Sequence, residues 1–350
     1  MRRSSRSRIS AWSGICLRSC RNWKQPFKLG EGGSTTAPAP SRRGRALGWL
    51  AGVAVVYLVA LWYLDRDKNV LSRLSDLAAP LMLCATAQLA SYGVRYQRWR
   101  MLLHAQGHCT FAWWPGLAAY LAGFAFTASP GKAGELLRIR YFSRWGVPPQ
   151  TTLATFIHER ALDLLVITLL ATGAAGLVPL FGVLTAVVLT VTLGLWLAAG
   201  CSALQQLAQG VVVRLPSRRL RQLCMFLLGG IHALRPLLRP GLTLKAAAHG
   251  TAAWLLTAAA FAWLCHALGI TLAWQHAVAI YPLAMLVGAL SFIPGGVGTT
   301  EAAIVVMLTH TGADLDVALT AAIGIRLASL WLAILLGMTA MAGLEARRPD

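Results

Sequence analysis

Charge is the first thing this sequence is short of. Only 13% of its 350 residues are charged and 57% are hydrophobic, whereas a soluble domain carries about 25% charge. Acids are scarcest, 12 against 32 bases. Between Ala246 and Thr300 there is no Asp, Glu, Lys or Arg at all. A chain with several uncharged runs of that kind reads as an all-α, polytopic membrane protein. The 7 cysteines are odd in number and scattered, which excludes a disulfide framework. Cys16 and Cys20 have no second ligand pair to complete a metal site. Gly295-Gly296-Val297-Gly298-Thr299-Thr300 lacks the lysine of a phosphate-binding loop, and no G-x-G-x-x-G or G-x-S-x-G occurs. No cofactor or metal is therefore expected, and no soluble catalytic domain.

The bases that exist are unevenly placed. Eleven lie in the first 45 residues, a Ser/Gly/Pro-rich stretch unable to bury a core. Nucleic-acid binding is one reading of such a tail. A cytoplasmic segment beside anionic lipid is the better one, because no nucleic-acid motif accompanies the charge. Ala46–Leu64 is then a retained first span and Asp65–Asp76 a neutral outer loop. Leu77–Val94 is a second span, ending in the basic inner rim Arg95–Arg100.

Charge placement constrains the segments beyond Arg100. If Cys109–Gly131 crossed fully, Lys132, Arg138, Arg140 and Arg144 would lie outside, and the seven bases from Arg214 to Lys245 with them. That conflicts with the positive-inside rule. The conflict vanishes if residues 111–142 enter from the cytoplasm, turn at Pro130-Gly131 and return. Spans at 152–177 and 180–200, an interfacial amphipathic helix within 211–240 and a span at 244–268 come next. A second hairpin at 276–311 turns at Pro294-Gly295-Gly296, and the last span is 317–343, before a cytoplasmic tail at 346–350. The transmembrane domain would thus occupy 46–345, with about six full spans, two opposed re-entrant hairpins and both termini cytoplasmic. Eight full spans fit the hydropathy equally well and fail only on charge. Opposed broken elements in two halves are the pattern of inverted-repeat transporters, whose sites lie near the midplane.

Four acids fall in or beside the apolar segments: Glu135, Glu159, Asp163 and Glu301. With Lys132, Arg160 and Arg326 they make seven ions, each costing about 3 kcal/mol against lipid. Pairing or water must offset that. Glu159 and Asp163 are i, i+4, and Arg160 and Asp163 are i, i+3, on adjoining helix faces. An Arg160–Asp163 pair would leave Glu159 for Lys132, Arg326 or a ligand. Around the breaks, Pro130, Gly131 and Gly134, then Pro294, Gly295, Gly296 and Gly298, permit close backbone approach. A helix starting after Gly134 or Gly298 would aim free N–H groups at a phosphate or carboxylate. A purely structural ion network and plain inter-span loops remain the alternative readings of these features.

Pro130-Gly131-Lys132-Ala133-Gly134-Glu135-x-x-Arg138, Glu159-Arg160-x-x-Asp163, Pro294-Gly295-Gly296-Val297-Gly298-x-x-Glu301 and Arg326, in that order, resemble the lysylphosphatidylglycerol synthase transmembrane region, or flippase-like, family of bacterial and archaeal membrane proteins. The resemblance covers roughly residues 45–345. Family members with a soluble aminoacyltransferase domain make and flip aminoacylated phospholipids. No such domain is expected after the final span, so the resemblance implies the membrane part alone. The expectation is translocation of a phospholipid, polyprenyl-linked or hopanoid-type lipid across a bacterial cytoplasmic membrane. Lys132, Arg138, Arg160 and Arg326 would contact an anionic headgroup, while Glu135, Glu159, Asp163 and Glu301 balance the charge or carry protons. An intramembrane lipid-modifying transferase, an accessory subunit of an envelope-lipid biosynthetic enzyme, and a non-catalytic scaffold are the other readings.

Overall fold

The computed structural model describes residues 77–108 and 111–346, together with Gly52 and Val55. The basic tail and nearly all of the expected first span lie outside the described residues. Within them every regular element is helical. In chain order these are α1 Ala78–His104, α2 Trp113–Ala122, α3 Arg138–Phe142, α4 Pro149–Ala171, α5 Phe181–Gly200, α6 Ser202–Val213, α7 Arg218–His232, α8 Pro240–Ala267, α9 Trp274–Leu290, α10 Thr299–His310, α11 Leu315–Arg326 and α12 Leu332–Ala346. Among the described helices, four are long and apolar enough to cross a membrane: α4 with its 3-10 extension to Leu177, α5, α8, and the joined α11–α12. The protein is a multi-pass membrane protein.

Local sequence accounts for the boundaries. Pro149 and Pro240 open α4 and α8, where a missing N–H has no helix partner to lose. Within 211–240, where an amphipathic helix is expected, the structure has α7, Arg218–His232, preceded by the separate helix α6. Pro216 ends the run after Val213, and the Ser217 hydroxyl accepts from the Leu220 N–H at 3.4 Å to start α7. A further correction concerns α1, which continues ten residues past the expected span end at Val94 to His104. Two of its arginines, Arg95 and Arg98, turn inward.

Helices α1 and α8 pack antiparallel along their lengths. The Cys84 thiol meets the Ala260 carbonyl at 3.3 Å, and the Ser91 hydroxyl donates to the Ala253 carbonyl at 2.9 Å. The order "long helix, broken hairpin, long helix" occurs twice, first as α1, residues 113–145 and α4, then as α8, residues 274–310 and α11–α12.

Both broken segments fold back on themselves. In the first, Phe111 stacks on Trp145 with ring centroids 5.3 Å apart, so the entry and exit of the hairpin lie side by side. Its legs are α2 with a 3-10 turn (Gly123–Phe126) and a longer 3-10 stretch (Pro130–Leu137) running into α3. Gly123 and Gly134 sit where a Cβ would strike Arg138 and Phe126 of the opposite leg. In the second hairpin, α9 and α10 lie together with Gly288 against Thr300. At 17 and 12 residues these legs are about 25 and 18 Å long, short of a hydrocarbon core of about 30 Å. Gly295, Gly296 and Gly298 take φ of +64°, +62° and +84° to make this turn, a region costly for side-chain-bearing residues.

The two tips meet. A Cβ on Gly295 would lie 3.2 Å from the Ala128 Cα, so backbone touches backbone between the hairpins. Helix α12 closes over the first hairpin in the same manner, since a Cβ on Gly337 would run into the backbone of Phe124 and Ala125.

Two measurements test this arrangement. In a cysteine-free background, Ala105→Cys and Ser143→Cys, both at exposed positions, label from the same side of the membrane; labelling from opposite sides would mean that the first hairpin crosses. Gly337→Leu should destabilise the detergent-solubilised protein by about 1–3 kcal/mol or more through overpacking. Gly343→Leu, where an added Cβ meets nothing within 4 Å, leaves the melting temperature unchanged.

Candidate functional site: an arginine-rich cavity between two hairpin tips

Helix α4 carries the acids at its centre. Glu159 and Asp163 sit one turn apart, fully or almost fully buried, and two charges so placed demand counterions. The structure supplies four. Arg98 bridges both acids, at 2.9 Å to Glu159 and 2.8 Å to Asp163. Arg95 reaches Asp163 at 3.0 Å. Arg138, from the first hairpin, lies 3.4 Å from Glu159. Arg160 lies 3.4 Å from Glu159 and 3.0 Å from Asp163. The Tyr120 hydroxyl donates to Glu159 at 3.1 Å.

The expected Arg160–Asp163 pair is therefore present, but Glu159 is not left over for a ligand. Arg95 and Arg98, expected on a solvated rim, are inside: Arg98 has 0% exposure. Their positions were readable in principle. Gln88, Ser91, Arg95 and Arg98 follow one another at alternating steps of three and four, a polar stripe on an otherwise apolar helix. Such a stripe faces a polar interior when the other faces meet lipid.

Arg138 is also held by its surroundings. Its Nε donates to the Tyr120 carbonyl at 3.0 Å, and its guanidinium lies 3.9 Å from the centre of the Tyr120 ring. It pairs with Glu135 at 3.2 Å, and the Thr127 hydroxyl donates to the same carboxylate at 3.2 Å. Glu135 thus ties the turn of the first hairpin to its return leg.

The second hairpin has its own pair. Arg326 Nε donates to Glu301 at 2.8 Å, and its Nη2 donates to the Gly295 carbonyl at 2.7 Å. The other Glu301 oxygen accepts the Gly298 N–H at 2.8 Å. One N–H at the start of α10, that of its N-cap Gly298, is thus taken by the helix's own carboxylate and is not free for a ligand. At the first hairpin the Gly134 N–H is likewise taken, by the Ser129 hydroxyl at 2.6 Å. Lys132 lies on the 3-10 stretch, and its side chain, like those of Pro130 and Ala133, is outside the described ones.

Between the tips lies a cavity of about 80 Å³. Arg95, Arg160 and Arg326 line it, with Glu135 as the one acid among the lining residues. Its neutral polar wall comes from Gln88, Tyr92, Thr127, Thr257, Tyr281 and Ser329. Of these, Thr127 and Tyr281 belong to the two hairpins singled out by sequence. The Tyr92 hydroxyl donates to the Ser329 carbonyl at 3.1 Å, inside the π-helical turn Leu327–Trp331 that comes after Arg326. Such a turn is a frequent mark of a functional position in a helix. Five guanidiniums (Arg95, Arg98, Arg138, Arg160, Arg326) face four carboxylates (Glu135, Glu159, Asp163, Glu301), so one positive charge is left over among these described residues. Among the described residues, no three His, Cys, Asp or Glu side chains gather as a metal site.

Breaking one member of such a network strands charge out of water, which costs about 3–5 kcal/mol in buried pairs. Asp163→Asn removes a counterion from Arg95, Arg98 and Arg160 together, and it should lower thermal stability more than Glu301→Gln, which strands Arg326 alone. Equal or smaller loss for Asp163→Asn, measured by thermal unfolding in detergent, would contradict the shared-counterion geometry.

No curated protein matches the chain significantly. The family model for the lysylphosphatidylglycerol synthase transmembrane region matches residues 49–337, which takes in both hairpins and every ion of the network. The chain therefore belongs to the lysylphosphatidylglycerol synthase transmembrane-region family, membrane proteins of lipid metabolism or transport.

Proposed function

We propose that the protein is a lipid translocase of the bacterial cytoplasmic membrane, which passes the anionic headgroup of a phospholipid, polyprenyl-linked or hopanoid-type lipid between its two hairpin tips. The observation that carries this reading is the interior cavity lined by Arg95, Arg160 and Arg326, with one guanidinium in excess of the carboxylates among the described residues of the network. Arginine matches a phosphate with two parallel N–H donors, and inside a membrane an ionisable cluster of this kind is a functional site by default.

Arg160 is the arm best placed to meet the headgroup. Its side chain is the most open of the α4 cluster, at 20% exposure, and its Nε has no partner. Both acids it touches keep two other arginines when it leaves: Arg98 and Arg138 on Glu159, Arg95 and Arg98 on Asp163. Arg326 adds a link to the gate. It holds the Gly295 carbonyl at the second tip, so a phosphate drawn to Arg326 competes with the contact that keeps the tip in place. At about 80 Å³ the cavity holds roughly the volume of two to three waters, so on this reading a headgroup enters only as the tips part, and the acyl chains stay in the bilayer.

Each of the four carboxylates is engaged by arginine, which favours binding over the general acid–base work a lipid-modifying transferase would ask of them. Orientation follows from the positive-inside rule: the arginines of α7 and the loops around it face the cytoplasm, and both termini with them. An envelope-lipid biosynthetic enzyme that supplies the lipid is the protein partner this reading implies.

The test is transport of a fluorescent anionic phospholipid in proteoliposomes. Arg160→Ala should reduce the rate by at least about tenfold, as loss of a charge-assisted contact in a buried site does. Arg140→Ala, which removes a partly exposed pair with Glu345, leaves it near wild type. Wild-type rates in well-folded Arg160→Ala would overturn the assignment.

A further inference from the structure

Away from the interior cavity, the chain builds a second polar recess on its basic face. An open cleft of about 750 Å³ lies where the end of α1, the start of α4 and the α7–α8 junction come together. Gln106, Thr151, His232, Arg235 and Arg239 are among the residues that line it, and it shares none of them with the interior cavity. We propose that this cleft is a second lipid site, one that takes the phosphate of a headgroup bearing two negative charges.

Charge is the first argument. No Asp or Glu occurs between Asp163 and Glu301, and neither Arg235 nor Arg239 takes part in any of the described ion pairs. Two guanidiniums thus border one recess with no carboxylate to balance them. A phosphomonoester carries about −1.5 to −2 at neutral pH and matches that charge, whereas a phosphodiester leaves one guanidinium unmatched. The arginine fork suits phosphate oxygens. Helix α8 opens directly after Arg239, with no acid in its first turn and no side-chain cap, so its positive end adds to the field.

The backbone that carries these arginines is anchored. Leu234 and Leu237 are fully buried, in one cluster with Leu102 of α1 and Ala154 and Leu162 of α4. They fasten the 3-10 turn Arg235–Leu238 to the core. Pro236 and Pro240 restrict the chain around it, and the Thr243 hydroxyl donates to the Leu237 carbonyl at 3.0 Å. His232 Nδ1 lies 2.9 Å from Gln205 Oε1, which ties the end of α7 to α6.

A separate observation points to a ligand. Thr151 is only 8% exposed yet lines the cleft, and its hydroxyl has no hydrogen-bond partner among the described residues. A phosphate oxygen would supply one. Gln106, by contrast, is committed, since its Nε2 donates to the Thr155 hydroxyl at 2.9 Å and the Leu102 carbonyl at 3.2 Å.

Position selects a lipid as the carrier of the phosphate. On α7, Leu220, Leu223 and Leu227 follow at steps of three and four and are all exposed, while Arg218 and Gln222 fall on the other side of the helix. A helix of that pattern lies at the boundary between headgroups and acyl chains, and this one ends at His232, on the cleft. The cleft therefore opens at the depth of lipid phosphates. Basic pockets between helices at a cytoplasmic border take anionic headgroups in this way.

The test is titration of the purified full chain with phosphatidic acid, phosphatidylglycerol or phosphatidylcholine, read by native mass spectrometry, with glycerol phosphate as the soluble arm. Phosphatidic acid should bind saturably and at least about tenfold more tightly than phosphatidylglycerol. The double variant Arg235→Gln/Arg239→Gln should weaken that binding at least about tenfold. Arg218→Gln/Arg219→Gln removes the same charge from exposed positions outside the cleft and should weaken it far less. Equal weakening by both pairs reduces the effect to net charge and overturns the site, as does wild-type affinity in the first pair. Equal affinity for phosphatidylglycerol overturns the preference for two charges. Displacement of the lipid by an equal concentration of glycerol phosphate overturns a lipid as the carrier. If the first double variant melts early, Arg235→Gln alone decides: a loss of about threefold or more supports the site, and unchanged affinity overturns it.

Discussion

Two acids one turn apart, buried in a membrane protein, are the constraint on which the other ions and both hairpins depend. Glu159 and Asp163 on α4 are prohibitive in hydrocarbon as bare charges. The chain meets this by bringing arginines from three directions: Arg95 and Arg98 from α1, Arg138 from the first hairpin, and Arg160 from α4 itself. Each ion pair between elements is thus also a tertiary tie. Buried ion pairs add little stability over an apolar replacement of the same shape. A network this extensive is more readily understood as a charged site held in place than as a device for stability.

The second pair, Arg326–Glu301, does for the other half what Arg138–Glu159 does for the first. In each case an ion of a broken hairpin meets one of opposite sign on the long helix next in the chain. Glycines let the two tips approach to backbone contact at Ala128 and Gly295. That contact is small and lacks interlocking side chains. Arg326, which bonds both Glu301 and the Gly295 carbonyl, is the element through which a bound anion would loosen it.

Apolar packing divides around this polar centre. An aromatic group that includes Tyr96, Trp99, Tyr120 and Phe142 braces the first hairpin, and a larger aliphatic cluster around α8, α9 and α10 holds the second. The short legs of the hairpins cannot be stabilised by lipid contact alone. Their backbone at membrane depth is tolerated because protein surrounds it and a cavity borders it.

The class of the molecule was legible from residue order alone, because hydropathy and charge are sums over local stretches that need no partner. The spans near 152–177, 180–200 and 244–268 and both breaks could be read in that way. So could Glu135, Glu159, Arg160, Asp163, Glu301 and Arg326, since a lone ion in an apolar run is conspicuous. The pairings were settled only once the chain was folded. Arg95 and Arg98 read as the end of a span, because an arginine near a membrane border satisfies the positive-inside rule whether it points out or in. Only Glu159 and Asp163, distant along the chain, turn them inward. At the expected anion-binding helix ends a similar effect occupies one N–H each, for Glu301 and Ser129 fold back onto the Gly298 and Gly134 N–H groups. Of the neutral wall, only Gln88 shared in a readable polar stripe; Tyr92, Thr257, Tyr281 and Ser329 gave no signal, because uncharged polar residues are ordinary in such helices until separate segments place them around one space.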